Sequence, residues 1–495
     1  MKCVKIPKIF LCLAAFSVVA FAAIPTIKIT TQNGSDVTEK KYYVMNLELN
    51  DSDNPEYNIS KTENIDSIRV RGNSTSGVSK KPYRIKFNKK TSLFGLPKAK
   101  SWVLLANYYD NTQMLNALAF ELGKRLGLEH TPDYRFVDVY VNNNYKGIYM
   151  LCDQVQVNEN RVNISKKDGW LIEFDYHAPD ADDIRFQWSW NGLDNKKDSL
   201  GTFVKSPDYD NPKTADVQWI KNDLNDLSSK MFASNFPENG YRDLIDLDAM
   251  AKYIMVQKFM DNFDFNSQVQ KGFLPGSNYH YKDVGTKIFA GPLWDFDLSA
   301  GVTFSFSPEH FTTTGDNNHH GVIPTHTYYK RFFDDPVFLA KWKKLWDAHQ
   351  KDFNDLGRVA DSIANYISPS IVNNFNVLSS NSGVGMGGFP GMGGTSYPSS
   401  LQSYKTDHVD KLKNWITGRK SFFSTKINEM NIDTSKDLPV QSLYSRYQLK
   451  NQTEELPVYY NLNGTRLGNI KPLSSGIYFV RKNKAFKRIT LIGQE

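Results

Sequence analysis

The sequence predicts an α+β protein with a β-rich N-terminal part, an α-rich C-terminal part and a small all-β segment at its end. Three observations carry that expectation. Between Ile27 and about Phe87, β-branched and polar residues alternate, as in "TIKITT", "YYVMNLEL" and "SIRVRGN", which is the period of half-buried strands. After about Asp243 the apolar residues return at helical spacing. From about Glu455 alternation resumes around an Asn-Gly turn signal. A chain of 495 residues is too long for one compact core and suggests two or three domains.

The first 22 residues read as a signal peptide. Lys2, Lys5 and Lys8 give a positive start, "IFLCLAAFSVVAF" an apolar run, and "AFA" a small-residue cleavage site. Its removal takes Cys3 and Cys12 away and leaves Cys152 alone, so neither an intramolecular disulfide nor a cysteine-based zinc site can form. With no histidine near it in sequence, Cys152 reads as a small buried hydrophobe. No other stretch approaches the ~20 apolar residues of a membrane span. The expected location is secreted, periplasmic or cell-surface.

Next along the chain, a glycine-bearing loop from Gly72 to Gly77 separates two strands. "NTQMLNALAFELGKRLGL" places Leu115, Leu118, Ala119, Leu122 and Leu126 on one helix face, with Asp110 or Asn111 as its cap. "YRFVDVYVNNNYKGIYML" predicts two strands around an Asn-rich turn, and "GWLIEFD" a buried strand. Further on, "LIDLDAMAKYIMVQKFMDNF" and the run from Asp335 to Ile367 predict helices. The Gly/Met/Pro-rich stretch 381–400 predicts a long loop.

Charge excludes little except nucleic acid. The 60 basic and 53 acidic side chains leave a formal net charge of +7 without a strongly basic block.

The chemistry concentrates in two places. "GPLWDFDLSAG" sets Asp295 and Asp297 one residue apart in an apolar stretch, and upstream "VQKFMDNFDFN" carries Asp261 and Asp264. The 31 residues from Asp264 to Asp295 leave room for a hairpin that brings those two acids together. One acid would hold a hydroxyl nucleophile and the other a divalent cation, the division phosphoryl transfer requires. Oxygen ligands favour Mg²⁺ or Mn²⁺ over zinc. "RGNSTSGVSKKPYRIKF" supplies the opposite charge: a small-residue loop whose amides can approach phosphate, then Lys81, Arg84 and Lys86. Glu121 would pair with one of those lysines, or else form an ordinary helix pair with Lys124 or Arg125. His319, His320 and His326 suggest a transition-metal site, which a polar, Asn/Gly-rich loop and the lack of an HExxH spacing argue against.

Three blocks, "RGNSTSGVSKKPYRIKF", "SWVLLANYYDNTQMLNALAFELGKRLGLEHTPDYRFVDVYVNNNYKGIYML" and "GPLWDFDLSAG", together resemble the spore-coat protein H (CotH) family of atypical secreted protein kinases, over about residues 27 to 420. The resemblance implies a two-lobed, protein-kinase-like fold spanning 24–440, with an N-lobe of about 24–165 and a C-lobe of about 166–440. Residues 455–495, through "VYYNLNGTRLG" and "GIYFVRKNKAFKRI", resemble the short C-terminal β modules that direct bacterial proteins to surface secretion; the alternative is a small β appendage packed on the main domain. The CotH resemblance also implies transfer of the γ-phosphate of ATP to serine or threonine of a secreted or surface protein. By matching positions, Asp264 becomes the catalytic base and Asp295 the metal-binding acid, with Asn278 as a second metal ligand and Asp297 as either a further ligand or a local cap. Arg71, Asn73, Ser74, Lys81, Lys86 and Glu121 make up the nucleotide-binding set, with Lys86 as the phosphate-contacting lysine. Residues 268–276, "QVQKGFLPG", read as an insertion between Asp264 and Asn278. The alternative is a kinase-like surface protein without catalysis, acting as an adhesin or as a glycan- or protein-binding module.

Overall fold

The structure is a computed structural model and describes residues 24–180, 183–193, 197–209, 215–266, 275–301, 321–380 and 397–437, together with the backbone of 458–460, 466–468, 476–482 and 485–491. The predicted leader, His319, His320 and most of the stretches 268–276 and 381–400 lie outside these residues.

Seven strands open the fold: β1 (Thr26–Thr31), β2 (Tyr43–Asn50), β3 (Ile59–Val70), β4 (Tyr83–Thr91), β5 (Ala99–Leu105), β6 (Tyr134–Val141) and β7 (Asn144–Asp153). They close into a barrel in the order β1-β2-β3-β4-β5-β7-β6, with β6 returning to β1 in parallel, Ile27 opposite Val139. Alternation explains the closure. Ile27, Ile29, Leu47, Ile68, Ile85, Trp102 and Val139 point inward and are buried, and a closed sheet leaves no edge to protect. β6 and β7 turn at Asn142 and Asn143, both at positive φ, the two-residue hairpin geometry for which asparagine is suited.

Helix α1 (Leu115–Arg125) interrupts the barrel strands, and every residue from Leu115 to Gly123 is buried. Its N-cap residue is Met114, not Asp110 or Asn111, yet Asp110 reaches the helix start from five residues back: its Oδ2 accepts the Leu115 N–H at 2.8 Å, satisfying one of the free amides there. Burial pushes the Asp110 carboxyl up to about 6.

The C-terminal part is not purely helical. Strands β8 (Trp170–Phe174), β9 (Ile184–Asn191) and β10 (Lys197–Ser206) precede its helices and join β11 (Asn278–Lys282) and β12 (Phe289–Ala290) in a five-stranded sheet ordered β12-β11-β8-β10-β9. The β9–β10 hairpin was absent from the sequence expectation. With the barrel, it sets the molecule apart from a simple division into a β lobe and an α lobe.

Around the sheet lie α2 (Gln218–Met231), α3 (Leu247–Phe259), the single turn α4 (Phe263–Asn266), α5 (Thr327–Arg331), α6 (Pro336–Ala348), α7 (Gln350–Ser380), α8 (Leu401–Tyr404) and α9 (Asp410–Glu429). The caps are local: Asp246 accepts the Ala249 N–H at 2.8 Å and Asp335 the Val337 N–H at 2.8 Å. The predicted helical run from Asp335 to Ile367 divides at His349, between α6 and α7. One apolar core joins α1, the five-stranded sheet and these helices, while the barrel interior forms a second. Beyond them the backbone of β13 (Val458–Tyr460), β14 (Arg466–Gly468), β15 (Gly476–Lys482) and β16 (Ala485–Leu491) pairs antiparallel in the order β14-β13-β15-β16. Among the described residues no helix is long and apolar enough to cross a membrane.

Candidate active site

A cleft of ≈ 1050 Å³ runs between the outside of the barrel and the five-stranded sheet. Its two walls have opposite charge. The barrel side presents Arg69, Arg71 and Arg84, and the facing side presents Glu173, Asp175, Asp264, Asp295 and Asp297.

Topology builds the acidic wall. Glu173 on β8 lies opposite Tyr279 on β11, so both face the cleft while their neighbours Phe174 and Asn278 face the core, as strand alternation demands. The turn α4 carries Asp264. Two backbone bonds sew its loop to the one after β12: the Phe263 N–H donates to Leu298 O at 2.9 Å and the Ala300 N–H to Met260 O at 2.7 Å. The β11–β12 hairpin thus supplies the return that the 31-residue spacing suggested. Asp295 sits at φ +60, left-handed backbone that a non-glycine residue adopts only where its surroundings impose it. Ser277 Oγ stands 3.4 Å from Asp295 Oδ2.

Like charges without water raise one another's pKa. Burial, then the charges of Asp295 and Asp175, push Asp264 up to about 8. Burial raises Asp295 as well, with the Arg71 guanidinium opposing it. Asp297 is held well above its ordinary value by burial and by Asp295 and Asp264.

Two further pairs stand on the same wall and were missed from the sequence. Lys205 on β10 places Nζ 2.6 Å from Glu173 Oε2, while the Tyr279 hydroxyl donates to Glu173 Oε1 at 2.7 Å. Burial pulls the Lys205 ammonium down, but Glu173 outweighs it and leaves its pKa raised. His177 stacks on Phe203 with ring centroids 4.2 Å apart and places Nδ1 2.8 Å from Asp175 Oδ1. The Ser277 N–H donates to the other Asp175 oxygen at 3.0 Å. Glu173, Asp175, Lys205 and His177 belong to "WLIEFDYH" and "TFVKS"; a charged residue breaking the apolar run of a strand read as buried was the available signal.

The predicted residues divide. Asp264, Asp295, Asp297, Arg71 and Asn73 line the cleft, with Arg71 5.3 Å over the Trp294 ring. Gly72 between them takes φ +89, and a Cβ there would collide with the Thr75 side chain, so the turn needs glycine. The side chain of Ser74 lies outside the described residues. The remaining four do not line the cleft. Lys86 is exposed on the outer barrel face, 5.7 Å over the Tyr42 ring. Lys81 turns back on its own loop, donating to Ser76 O at 2.8 Å. Glu121 is buried and accepts the Tyr134 hydroxyl at 2.9 Å. Asn278 is enclosed, accepting the Tyr253 hydroxyl at 2.8 Å and donating to Gly276 O at 2.7 Å. The lysine next to Lys81 has a structural setting: Lys80 is buried and donates to Ala106 O, Ile148 O and Asn374 Oδ1 at 2.6 to 2.8 Å, and burial lowers its pKa to about 7.

Of the histidines read as a metal site, His326 is described. It is fully buried against Trp190, with Nε2 3.9 Å from Asp198 Oδ1. Cys152 is a buried free thiol on β7, as expected, and burial raises its pKa. Among the described residues no three His, Cys, Asp or Glu side chains converge to hold an ion by themselves. The donor set nonetheless suits Mg²⁺, which is usually held by one or two carboxylates together with water and phosphate oxygens.

A family model described as CotH kinase protein fits residues 68–423, most of the chain and the whole of the cleft's acidic wall. No curated protein matches it.

Proposed function

Because this chain belongs to the CotH kinase family, we propose that it is a secreted phosphotransferase that moves the γ-phosphate of ATP onto a serine or threonine hydroxyl of a secreted or surface protein. The observation that carries this reading is the pairing of Asp264 with Asp295 on one wall of a cleft whose other wall is cationic. We read the barrel-bearing half and the helical half as the two lobes of a reduced kinase-like fold, about residues 24–165 and 166–440, and the C-terminal strands as a small module for sorting or surface attachment.

In this reading Arg71 and the amides of the loop after it take the phosphates from the barrel side, and Lys205, held by Glu173, takes them from the other. Lys205 therefore replaces Lys86 as the phosphate-contacting lysine. Asp295 and Asp297 would hold Mg²⁺ or Mn²⁺, which when bound neutralises phosphate charge and screens the acids from one another. Asp264 receives the acceptor's proton as the new O–P bond forms and the bond from the γ-phosphorus to the leaving ADP oxygen breaks. A carboxyl at about 8 is mostly protonated at neutral pH and a poor base. Positive charge brought against Asp295 lowers it, so the base becomes competent when the cleft is loaded.

The test is transfer of label from γ-labelled ATP, with Mg²⁺ or Mn²⁺, to the protein itself or to a serine-rich acceptor. Wild type should transfer label, while Asp264→Asn and Asp295→Asn should not. A wild type that transfers nothing and gains no thermal stability from nucleotide overturns the kinase reading in favour of a binding role at the surface.

A further inference from the structure

The peptide unit joining Asp295 to Phe296 belongs to neither a helix nor a strand, yet both of its polar groups are bound, each by the side-chain amide of a different part of the fold. Its carbonyl accepts Asn262 Nδ2 at 3.1 Å. Its N–H donates to Asn116 Oδ1, from α1, at 2.8 Å. Asn262 does more: its Oδ1 accepts the Asp264 N–H at 3.2 Å, and Nδ2 also donates to Gln257 Oε1 at 2.9 Å. Asn116 is tied in turn to the end of β5, donating to Asn107 Oδ1 at 3.1 Å. Both asparagines are 2% exposed.

These bonds fix the amide orientations, because the Asp295 carbonyl can only accept and the Asp264 and Phe296 N–H groups can only donate. Asp295 at φ +60 requires such external restraint. We infer that Asn262 is the positioning residue that sets Asp264 against Asp295, and that Asn116 completes the clamp from the barrel side. The inference rests on the phosphotransfer reading for its consequence in turnover, and on geometry alone for the clamp itself. Asn262 touches neither phosphate nor acceptor in this account. It acts through the backbone of the two acids, so its loss displaces base from metal and leaves the Arg71 and Lys205 contacts in place.

The decisive variant is Asn262→Asp, which keeps the shape and the acceptor for the Asp264 N–H but loses the donor to the Asp295 carbonyl. Label transfer should show kcat down about 10²-fold, the scale of a misplaced catalytic group, with KM for ATP changed less than about threefold. Amide hydrogen exchange in the nucleotide-free protein should quicken at Phe296 and leave α7 unchanged. Asn116→Leu, which removes the other half of the clamp, should reproduce both effects and keeps the question open to test if Asn262→Asp does not fold. Unchanged kcat and unchanged exchange in either folded variant overturn the clamp. An equal fall in kcat and rise in KM reduces Asn262 to a general structural role and overturns the positioning claim. If wild type transfers no label, the kinase reading falls by itself; the exchange rates then decide the clamp, faster at Phe296 supporting it and unchanged overturning it.

Discussion

The two walls of the cleft are built in different ways. The barrel wall comes from neighbouring strands, and its cations Arg69 and Arg84 face each other across the β3–β4 pair. The opposite wall is assembled from α4, from β8, β10 and β11, and from the loop after β12, segments spread from Glu173 to Asp297. Nearby segments supply charge that solvent partly screens. Distant segments supply charge that is buried, so the strong pKa shifts cluster on the acidic wall. Chemistry here depends on long-range assembly, while the cationic face is a general anion-attracting surface.

The acidic side should be the more sensitive to substitution. Replacing Asp264 or Asp295 by Asn should lower label transfer by about 10²–10⁴-fold, the usual contribution of a positioned proton acceptor or its equivalent, with the folded state retained by circular dichroism. An Arg84→Ala change on the barrel wall should cost far less. If the two walls lose activity equally, the asymmetry fails.

A second effect concerns stability where the loop after β3 meets α7. Lys80→Met takes this donor from the buried carbonyls of Ala106 and Ile148, while Asn374 Oδ1 keeps the Ile148 N–H, and should lower unfolding free energy by about 3 kcal/mol, at roughly 1–3 kcal/mol per unsatisfied buried group. Denaturant titration measures it. A loss under about 1 kcal/mol would show that the loop after β3 is not anchored through this amine.

Stability should follow the sign of the Asp264 shift. Its folded-state value of about 8 lies above the ordinary 3.8, so below pH 4 both states hold the proton and nothing is lost. As pH rises from about 4 to about 8 the unfolded chain releases it first, and stability falls. Asp264→Asn should therefore unfold at a higher temperature than wild type at pH 7.5, by at least about 2 °C, and the gain should vanish near pH 4. Mg²⁺ should narrow the gap by stabilising wild type. A variant less stable than wild type at pH 7.5 would remove the claim that the acids repel one another.

The smallest effect separates the two lysines. Lys205→Ala should weaken nucleotide binding at least about tenfold, in line with a charge-assisted hydrogen bond. Lys86→Ala, on the outer barrel face, should change nucleotide binding and stability within about 0.5 kcal/mol. Equal effects would return the phosphate-contacting role to β4.

Local period and local chemistry encode a good part of this fold. The barrel strands other than β5, the Asn142–Asn143 turn, α1 with Asp110 just before its start, and β8 were legible, because alternation, turn residues and helix-start signals act over a few residues. The acids Asp264, Asp295 and Asp297 were legible as well, since carboxylates in apolar stretches are conspicuous. Which cations meet them depends on pairings between segments far apart in the chain. "YRIK" in β4 offered alternating charges, but alternation says only that Arg84 and Lys86 share a face of the strand. Barrel closure decided that Arg84 reaches the cleft while Lys86 passes it by. Lys205 reached Glu173 because β10 pairs with β8, a pairing that no local signal specifies. Asn278 turned inward for the same reason: strand register, set by the whole five-stranded sheet, assigns each side chain to one face, and a shift of one residue would reverse it.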